Sequence, residues 1–199
     1  MNSIGCKVAI MQNRNTNLND IYMSDRLQAQ LQQIDQYAMT CVVAPMGYGK
    51  TTAVNWFLGE RSKVPGTRVV RISIYSDSLA IFWRSAQSAF AHAGLDFLRQ
   101  YELPSDLQGV MLLMDDMNRA LAGTGPLYIF LDDYHLLRGP RCAHFLCKCA
   151  VQLPKNVHII IASRNHFLSQ AEITKLCSRV CVLGPKQLRL DKDDLAVYT

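Results

Sequence analysis

The segment Ala44-Pro-Met-Gly-Tyr-Gly-Lys-Thr-Thr52 constrains the fold of this chain more than any other. An apolar, β-prone run, Met39-Thr-Cys-Val-Val43, precedes it, and Ala53-Val-Asn-Trp-Phe-Leu58 follows with helical character. Strand, glycine-containing loop and helix, in that order, are the frame of a phosphate-binding loop. Gly47 and Gly49 permit the tight turn that aims backbone N–H groups inward at phosphate oxygens. The new helix adds its free N-terminal donors and the positive end of its dipole. Lys50 is then expected to reach the β- and γ-phosphates of a nucleoside triphosphate, and the Thr51 hydroxyl to coordinate Mg²⁺. Pro45, Met46, Gly47, Tyr48, Gly49 and Thr52 complete the expected phosphate-binding wall. The full pattern G-x-x-x-x-G-K-[ST] has Gly at position 44, where this chain has Ala; Ala enters the same turn if its φ stays negative.

Hydrophobic residues at 49% and charged ones at 19% exclude a disordered chain, and 199 residues suffice for one large core. No apolar run approaches the ~18–20 residues of a membrane helix. Met1-Asn-Ser-Ile-Gly-Cys6 lacks the basic and apolar segments of a secretory signal, so the cytoplasm is the default expectation, with no membrane partner. A net charge of +5 fits binding of a polyanionic nucleotide and is too small to argue for DNA. The seven cysteines show no paired framework. The cluster Cys142-x-His144-x₂-Cys147-x-Cys149 invites a zinc reading, but Cys142, Phe145, Leu146 and Cys149 fall at i, i+3, i+4 and i+7, one apolar helix face.

Along the chain, residues 1–20 read as a loose, Asn-rich leader. Ser24 is a cap for a helix carrying Leu27, Leu31 and Ile34. Gly59 to Gly66 reads as a turn region, and Thr67–Ile74 as a strand. Asp77 or Ser78 caps a helix bearing Leu79, Phe82, Trp83, Ala86 and Phe90. A further helix carries the stripe Leu107, Val110, Met111, Met114, Met117 and Leu121. Gly123 to Pro126 ends it before the strand 127–131. A helix near 141–152, a strand at 157–162, a helix near 169–177 and a strand at 179–183 follow. Alternation of buried strands with helices predicts an α/β fold: a parallel five-stranded sheet with helices on both faces, three layers in all. Strands 39–43, 157–162 and 127–132 are expected side by side in that order. Residues 21–185 form the nucleotide-binding domain, and 186–199, with Asp191 capping a helix just starting, begin a connection to a downstream domain. The chain reads as the front portion of a longer protein.

Leu127-Tyr-Ile-Phe-Leu-Asp132-Asp133 is an apolar strand ending in two acids, about eighty residues after the loop. An aspartate at the tip of a buried strand is costly unless it meets a cation or donors, so Asp132 is suited to hold Mg²⁺. Asp133 is suited to polarise an attacking water as general base, which marks the hydrolase branch of these folds. The third part is Val157-His-Ile-Ile-Ile-Ala-Ser-Arg164: a strand tip facing the γ-phosphate, where Arg164 would distinguish triphosphate from diphosphate. Lys50, Asp133 and Arg164 are thus the catalytic candidates.

With these three segments in place, a resemblance becomes specific. Ala44–Thr52, Leu131-Asp-Asp-Tyr-His-Leu136 and Ile161-Ala-Ser-Arg-Asn165 together resemble the nucleotide-binding domain of the MalT-like, large ATP-binding LuxR-family transcriptional regulators. These are STAND signal-transduction ATPases, within the hydrolase-type (ASCE) P-loop NTPases. The stretch Leu183–Asp194 is similar to the lead into that family's winged-helix region, and family members commonly lack Gly at the position of Ala44. The usual Arg-Pro-Arg-like run before the first helix is reduced here to Arg26. The resemblance implies a switch that rests with ADP and exchanges it for ATP when an inducer binds a distant sensor domain. It then self-associates and reaches DNA through a C-terminal helix-turn-helix; neither the sensor nor that motif lies in these 199 residues. It implies ATP/ADP and Mg²⁺ as cofactors, with slow hydrolysis. The enzyme-class alternative is a stand-alone P-loop ATPase or a nucleotide-dependent kinase; a kinase's basic lid is not seen. A direct nucleic-acid-binding module is a third reading, and no recognition motif supports it.

Overall fold

The computed structural model describes residues 23–189. The leader, Tyr22 and the expected helix start at Asp191 lie outside the described residues. Ser24 opens helix α1 (Asp25–Gln32), its hydroxyl accepting from the Leu27 N–H. The expected helix stops short of Ile34, which is buried instead by a 3₁₀ turn, Gln33–Gln36. Strand β1 (Met39–Val43) is buried along its whole length and runs into the loop that starts α2 (Lys50–Ser62). Gly59 therefore sits inside a helix rather than a turn. Its neighbours Phe57 and Leu58 are buried on the core side, and that packing outweighs the modest helical penalty of one glycine.

Strand β2 (Arg68–Ser73) leads to α3 (Leu79–His92), capped by the Ser78 hydroxyl. A 3₁₀ turn at Asp96–Gln100 precedes α4 (Leu107–Ala120), capped by Asp106. The buried stripe of α4 is Val110, Leu113, Met114 and Met117, continued by Leu121 just past its end. Leu107 and Met111, expected in that stripe, are half exposed at 51% and 49%. The 3.6-residue period rotates them off the axis set by Val110, Leu113 and Met117. Then come β3 (Leu127–Asp132), α5 (Pro140–Gln152), β4 (Val157–Ser163), α6 (Gln170–Leu176), β5 (Val180–Leu183) and a short α7 (Pro185–Leu188).

The five strands form one parallel sheet in the order β2-β3-β4-β1-β5. Strand β4 lies between β3 and β1, pairing Ile159 with Met39 and with Ile129. Side-chain alternation sends Met39, Cys41, Ile129, Leu131, Ile159 and Ile161 to one face, under α3, α4, α5 and α6. Val42, Tyr128, Phe130 and Ile160 go to the other, under α1, α2 and α7. Burial on both faces is why these strands read as near-continuous apolar runs. The result is the three-layer α/β/α arrangement, with the carboxyl ends of β1, β3 and β4 gathered at one edge.

Cys142 and Cys149 are 1% and 3% exposed in the first core, whereas His144 projects to solvent. Among the described residues, no group of three or more His, Cys, Asp or Glu is placed to hold a metal ion. Nor is any described helix long and apolar enough to cross a membrane.

Candidate functional site

The loop between β1 and α2 turns through two left-handed glycines, Gly47 (φ 86°) and Gly49 (φ 68°), and a Cβ on either would enter open space. The restriction on these positions is therefore backbone conformation, with room left above the loop for a ligand. Ala44 is 1% exposed and has no left-handed backbone, so the missing glycine of the pattern costs nothing here. Gly49 caps α2 without a side-chain hydrogen bond, so the first-turn N–H groups of Lys50, Thr51 and Thr52 have no intrahelical partner and face the loop. The side chains of Met46 (74% exposed) and Tyr48 (40%) point away to solvent; these two residues offer the loop only their backbone.

Lys50 Nζ donates to the carbonyls of Ala44 (2.8 Å) and Pro45 (3.0 Å), which folds its ammonium over the loop. Burial lowers the Lys50 pKa, the Arg164 guanidinium lowers it further, and Asp133 and Asp132 oppose both. The Thr51 hydroxyl donates to Asp132 Oδ1 at 3.1 Å, tying the start of α2 to the tip of β3 across 81 residues. The same oxygen accepts from the Asp133 N–H at 2.9 Å. A threonine hydroxyl and a carboxylate at this spacing are hard oxygen donors of the kind Mg²⁺ takes, and the open cradle with its lysine and free N–H groups suits phosphate. The residues present thus fit both groups.

Asp133 adopts the left-handed conformation (φ 55°, ψ 36°), uncommon for a residue with a side chain. This bend turns the chain from β3 into the 3₁₀ turn Tyr134–Leu136 and leaves the Asp133 carboxylate half exposed. His135 Nδ1 lies 3.8 Å from Asp133 Oδ1, is buried, and has no hydrogen-bond partner. Burial depresses the His135 pKa, helped by the charges of Arg164 and Lys50 and opposed by Asp133 and Asp132. His135 is the site residue that reasoning on single residue types passes over. Its signal is the Asp-Asp-Tyr-His spacing, which one 3₁₀ turn folds back onto the second acid.

Arg164 follows β4 in a turn fixed by Ser163. That hydroxyl, fully buried, donates to the Asn165 carbonyl at 2.7 Å and accepts its N–H at 3.3 Å. Ser163 O also accepts the Ala44 N–H at 3.2 Å, which locks this turn to the phosphate loop. The Arg164 side chain is exposed, and its charge acts on both Lys50 and His135. Tyr134 and Phe167 pack ring against ring at 4.4 Å, joining the loop after β3 to the loop after β4. Lys50, Thr51, Asp132, Asp133 and Arg164 therefore share one edge of the sheet. Thr52 is exposed on the first turn of α2.

No family model matches the chain. It is 27% identical over 185 residues to the HTH-type transcriptional regulator MalT of Klebsiella pneumoniae, which covers 88% of this chain and 20% of that protein. It is 24% identical over 152 residues to MalT of Yersinia pestis, covering 76% of this chain and 17% of the relative. The chain thus spans about a fifth of the length of these relatives. Its fold is similar to that of Cdc6p from Pyrobaculum aerophilum, with a TM-score of 0.53 and 19% identity over 81% of this chain and 47% of that one. A chain from a Drosophila ORC structure with AT-rich DNA and Cdc6 superimposes with a TM-score of 0.50 at 13% identity, over 85% of this chain and 56% of that one. These likenesses are of fold: a parallel sheet with helices on both faces, arranged as in those two proteins.

Proposed function

We propose that this chain, a MalT-like P-loop NTPase domain, binds Mg-ATP and ADP and works as the nucleotide switch of a transcriptional regulator. The observation that carries the reading is the Thr51–Asp132 hydrogen bond, which brings two Mg²⁺-type donors together from elements 81 residues apart. Loop amides from Gly47 to Thr52 and the Lys50 ammonium hold the phosphates. Thr51 and Asp132 hold Mg²⁺, which when bound neutralises phosphate charge. Asp133, on its strained turn, accepts the proton of a water directed at the γ-phosphate, and His135 beside it fixes the carboxylate's surroundings. Arg164 reads whether a γ-phosphate is there. One exposed base without a tight clamp suits slow hydrolysis, a timer rather than a motor.

In this proposal residues 21–185 are the domain and 186–199 the start of a connection to a downstream winged-helix region. DNA contact, inducer sensing and ATP-dependent self-association belong to the remaining four-fifths of a MalT-length protein. The test is calorimetric titration with ADP and ATP, in Mg²⁺ and in EDTA. Lys50→Ala should weaken both nucleotides by roughly ten- to a hundredfold, matching about 1.5–3 kcal/mol of lost charge-assisted bonding. Unchanged ADP affinity in that variant would remove the loop from the site.

A further inference from the structure

His135 Nδ1 is a buried nitrogen without a hydrogen-bond partner, a costly state that folded chains rarely leave without a use. The ring that carries it is held firmly. The Leu136 N–H donates to the Asp133 carbonyl and the Leu137 N–H to the Tyr134 carbonyl, both at 3.0 Å, which closes the 3₁₀ turn on either side of His135. Tyr134, 3% exposed, anchors the same turn against the Phe167 ring. The imidazole is therefore the fixed member of whatever pair it enters.

Asp133 Oδ1 stands 3.8 Å from that nitrogen, a few tenths of an ångström beyond hydrogen-bond reach. The Asp133 side chain is 53% exposed and the His135 side chain 11%, so the acid is the member with room to turn. A neutral imidazole carries one proton. A bare Nδ1 lone pair facing a carboxylate is repelled, whereas an N–H there is attracted, which places the proton on Nδ1. Burial and the charges of Arg164 and Lys50 favour the neutral ring, against the pull of Asp133 and Asp132. The other donors of the site are differently engaged. Lys50 Nζ is bonded to the Ala44 and Pro45 carbonyls, and Arg164 extends exposed from the end of another strand.

We propose that His135 is a positioning residue for hydrolysis: its Nδ1–H donates to one oxygen of the Asp133 carboxylate and thereby aims the other at the water directed at the γ-phosphate. The inference rests on reading Asp133 as the base and names the group that orients it. A small turn of the Asp133 side chain closes the pair, and hydrogen bonds of catalytic groups commonly tighten only as the reaction complex forms. A donor to a carboxylate makes one of the stronger hydrogen bonds, enough to select one orientation of an exposed acid. In the step itself the water proton passes to the free Asp133 oxygen. The water oxygen bonds to the γ-phosphorus, and the bond to the β–γ bridging oxygen breaks, its electron pair leaving on ADP. His135 keeps its proton throughout. It touches neither nucleotide nor metal, so it acts on the rate of hydrolysis and leaves affinity alone.

Single-turnover hydrolysis of radiolabelled ATP by the 199-residue chain, beside calorimetric affinities for ADP and ATP, tests this. Asparagine and glutamine separate the two ring nitrogens, because the amide nitrogen of the first falls where Nδ1 stands and that of the second where Nε2 stands. His135→Asn should hydrolyse within about threefold of the parent and His135→Gln at least about tenfold more slowly, a share of the roughly 10²–10⁴-fold that a positioned base supplies. Both should bind ADP and ATP as the parent does. In the Asp133→Asn background His135→Gln should slow nothing further, since no carboxylate is left to aim. Nitrogen-15 NMR of the parent chain, with the His135 ring assigned through its backbone correlations, reads the tautomer without any substitution, and the proton should sit on Nδ1. Full hydrolysis in His135→Gln beside an inactive Asp133→Asn would overturn the proposal and leave the base reading standing; hydrolysis retained in Asp133→Asn would overturn both. A proton on Nε2, or equal slowing by asparagine and glutamine, would reduce His135 to a packing residue. Lost ATP affinity with ADP affinity kept would assign it to the γ-phosphate instead, and equally end the proposal.

Discussion

The left-handed backbone of Asp133 makes a prediction in which stability and chemistry part company. In ordinary helical or extended backbone, glycine is less favourable than alanine by about 0.5–1 kcal/mol. At φ 55° that order reverses, because an alanine Cβ crowds the following carbonyl at a cost of roughly 1–2 kcal/mol. Aspartate and asparagine escape part of this penalty through local hydrogen bonding. Asp133→Ala is therefore expected to be less stable than Asp133→Gly by about 1 kcal/mol, even though both remove the same half-exposed carboxylate from beside Asp132. For a chain of this size that is a gap of about 2–4 °C in melting temperature. Asp133→Asn should melt close to the parent chain. All three variants should keep ADP affinity, since Lys50 and the loop are untouched, and all three should lose hydrolysis in single-turnover assays with radiolabelled ATP. Differential scanning calorimetry decides the backbone argument: an alanine variant as stable as the glycine variant would refute it. Retained hydrolysis in Asp133→Asn would separately remove Asp133 as the base.

Three further outcomes follow from the same geometry. Arg164→Ala should weaken ATP binding by about ten- to a hundredfold and leave ADP nearly unchanged, because Lys50 and the loop amides already serve the phosphates common to both; equal losses in a competition assay would make Arg164 a general structural residue. Gly125→Ala should destabilise the chain by about 1–3 kcal/mol, since its Cβ would stand 2.6 Å from the Gly66 carbonyl oxygen, a backbone atom that cannot swing aside; a melting temperature within a degree of the parent would contradict this. His135 has a folded-state pKa below the 6.5 of free imidazole, so as pH falls the unfolded chain takes up the proton first. Its contribution to stability is whole above about pH 6.5 and declines below it. Melts in EDTA at pH 7.5 and 5.5 should show a smaller loss for His135→Gln than for the parent, and equal losses would count against the buried-imidazole account.

What the sequence disclosed and what it withheld divide along a physical line. The order of the three central strands and the positions of Lys50, Thr51, Asp132 and Arg164 at their carboxyl ends were readable, because a phosphate loop, a strand ending in acids and a strand ending in arginine are local patterns that the parallel sheet brings together in only a few ways; the places of β2 and β5 at the sheet's two edges were not. Ser24, Ser78 and the apolar face of Cys142 and Cys149 followed from capping and period in the same manner. Gly59 was misread because glycine's local preference lost to the packing of Phe57 and Leu58, the two residues before it, into the second core. Leu107 and Met111 were misread because a helix of leucines and methionines offers several apolar stripes, and tertiary contact with α5 selects among them. The orphaned Nδ1 of His135 and the cinching role of Ser163 depend on turns whose geometry no residue type announces.

The position of β4 also bears on the order in which this molecule can come together. Synthesis delivers β1 and β3 long before β4, yet those two strands never touch; β4 must slide into a slot between them about two strand spacings wide, roughly 10 Å. Until residues 157–163 arrive, Thr51 and Asp132 have no sheet to hold them 3.1 Å apart. If the chain binds nucleotide as proposed, a nascent or partly unfolded chain would lack the assembled Thr51–Asp132 pair however intact its loop, and ligand protection should appear across the whole sheet at once rather than spreading outward from the glycines.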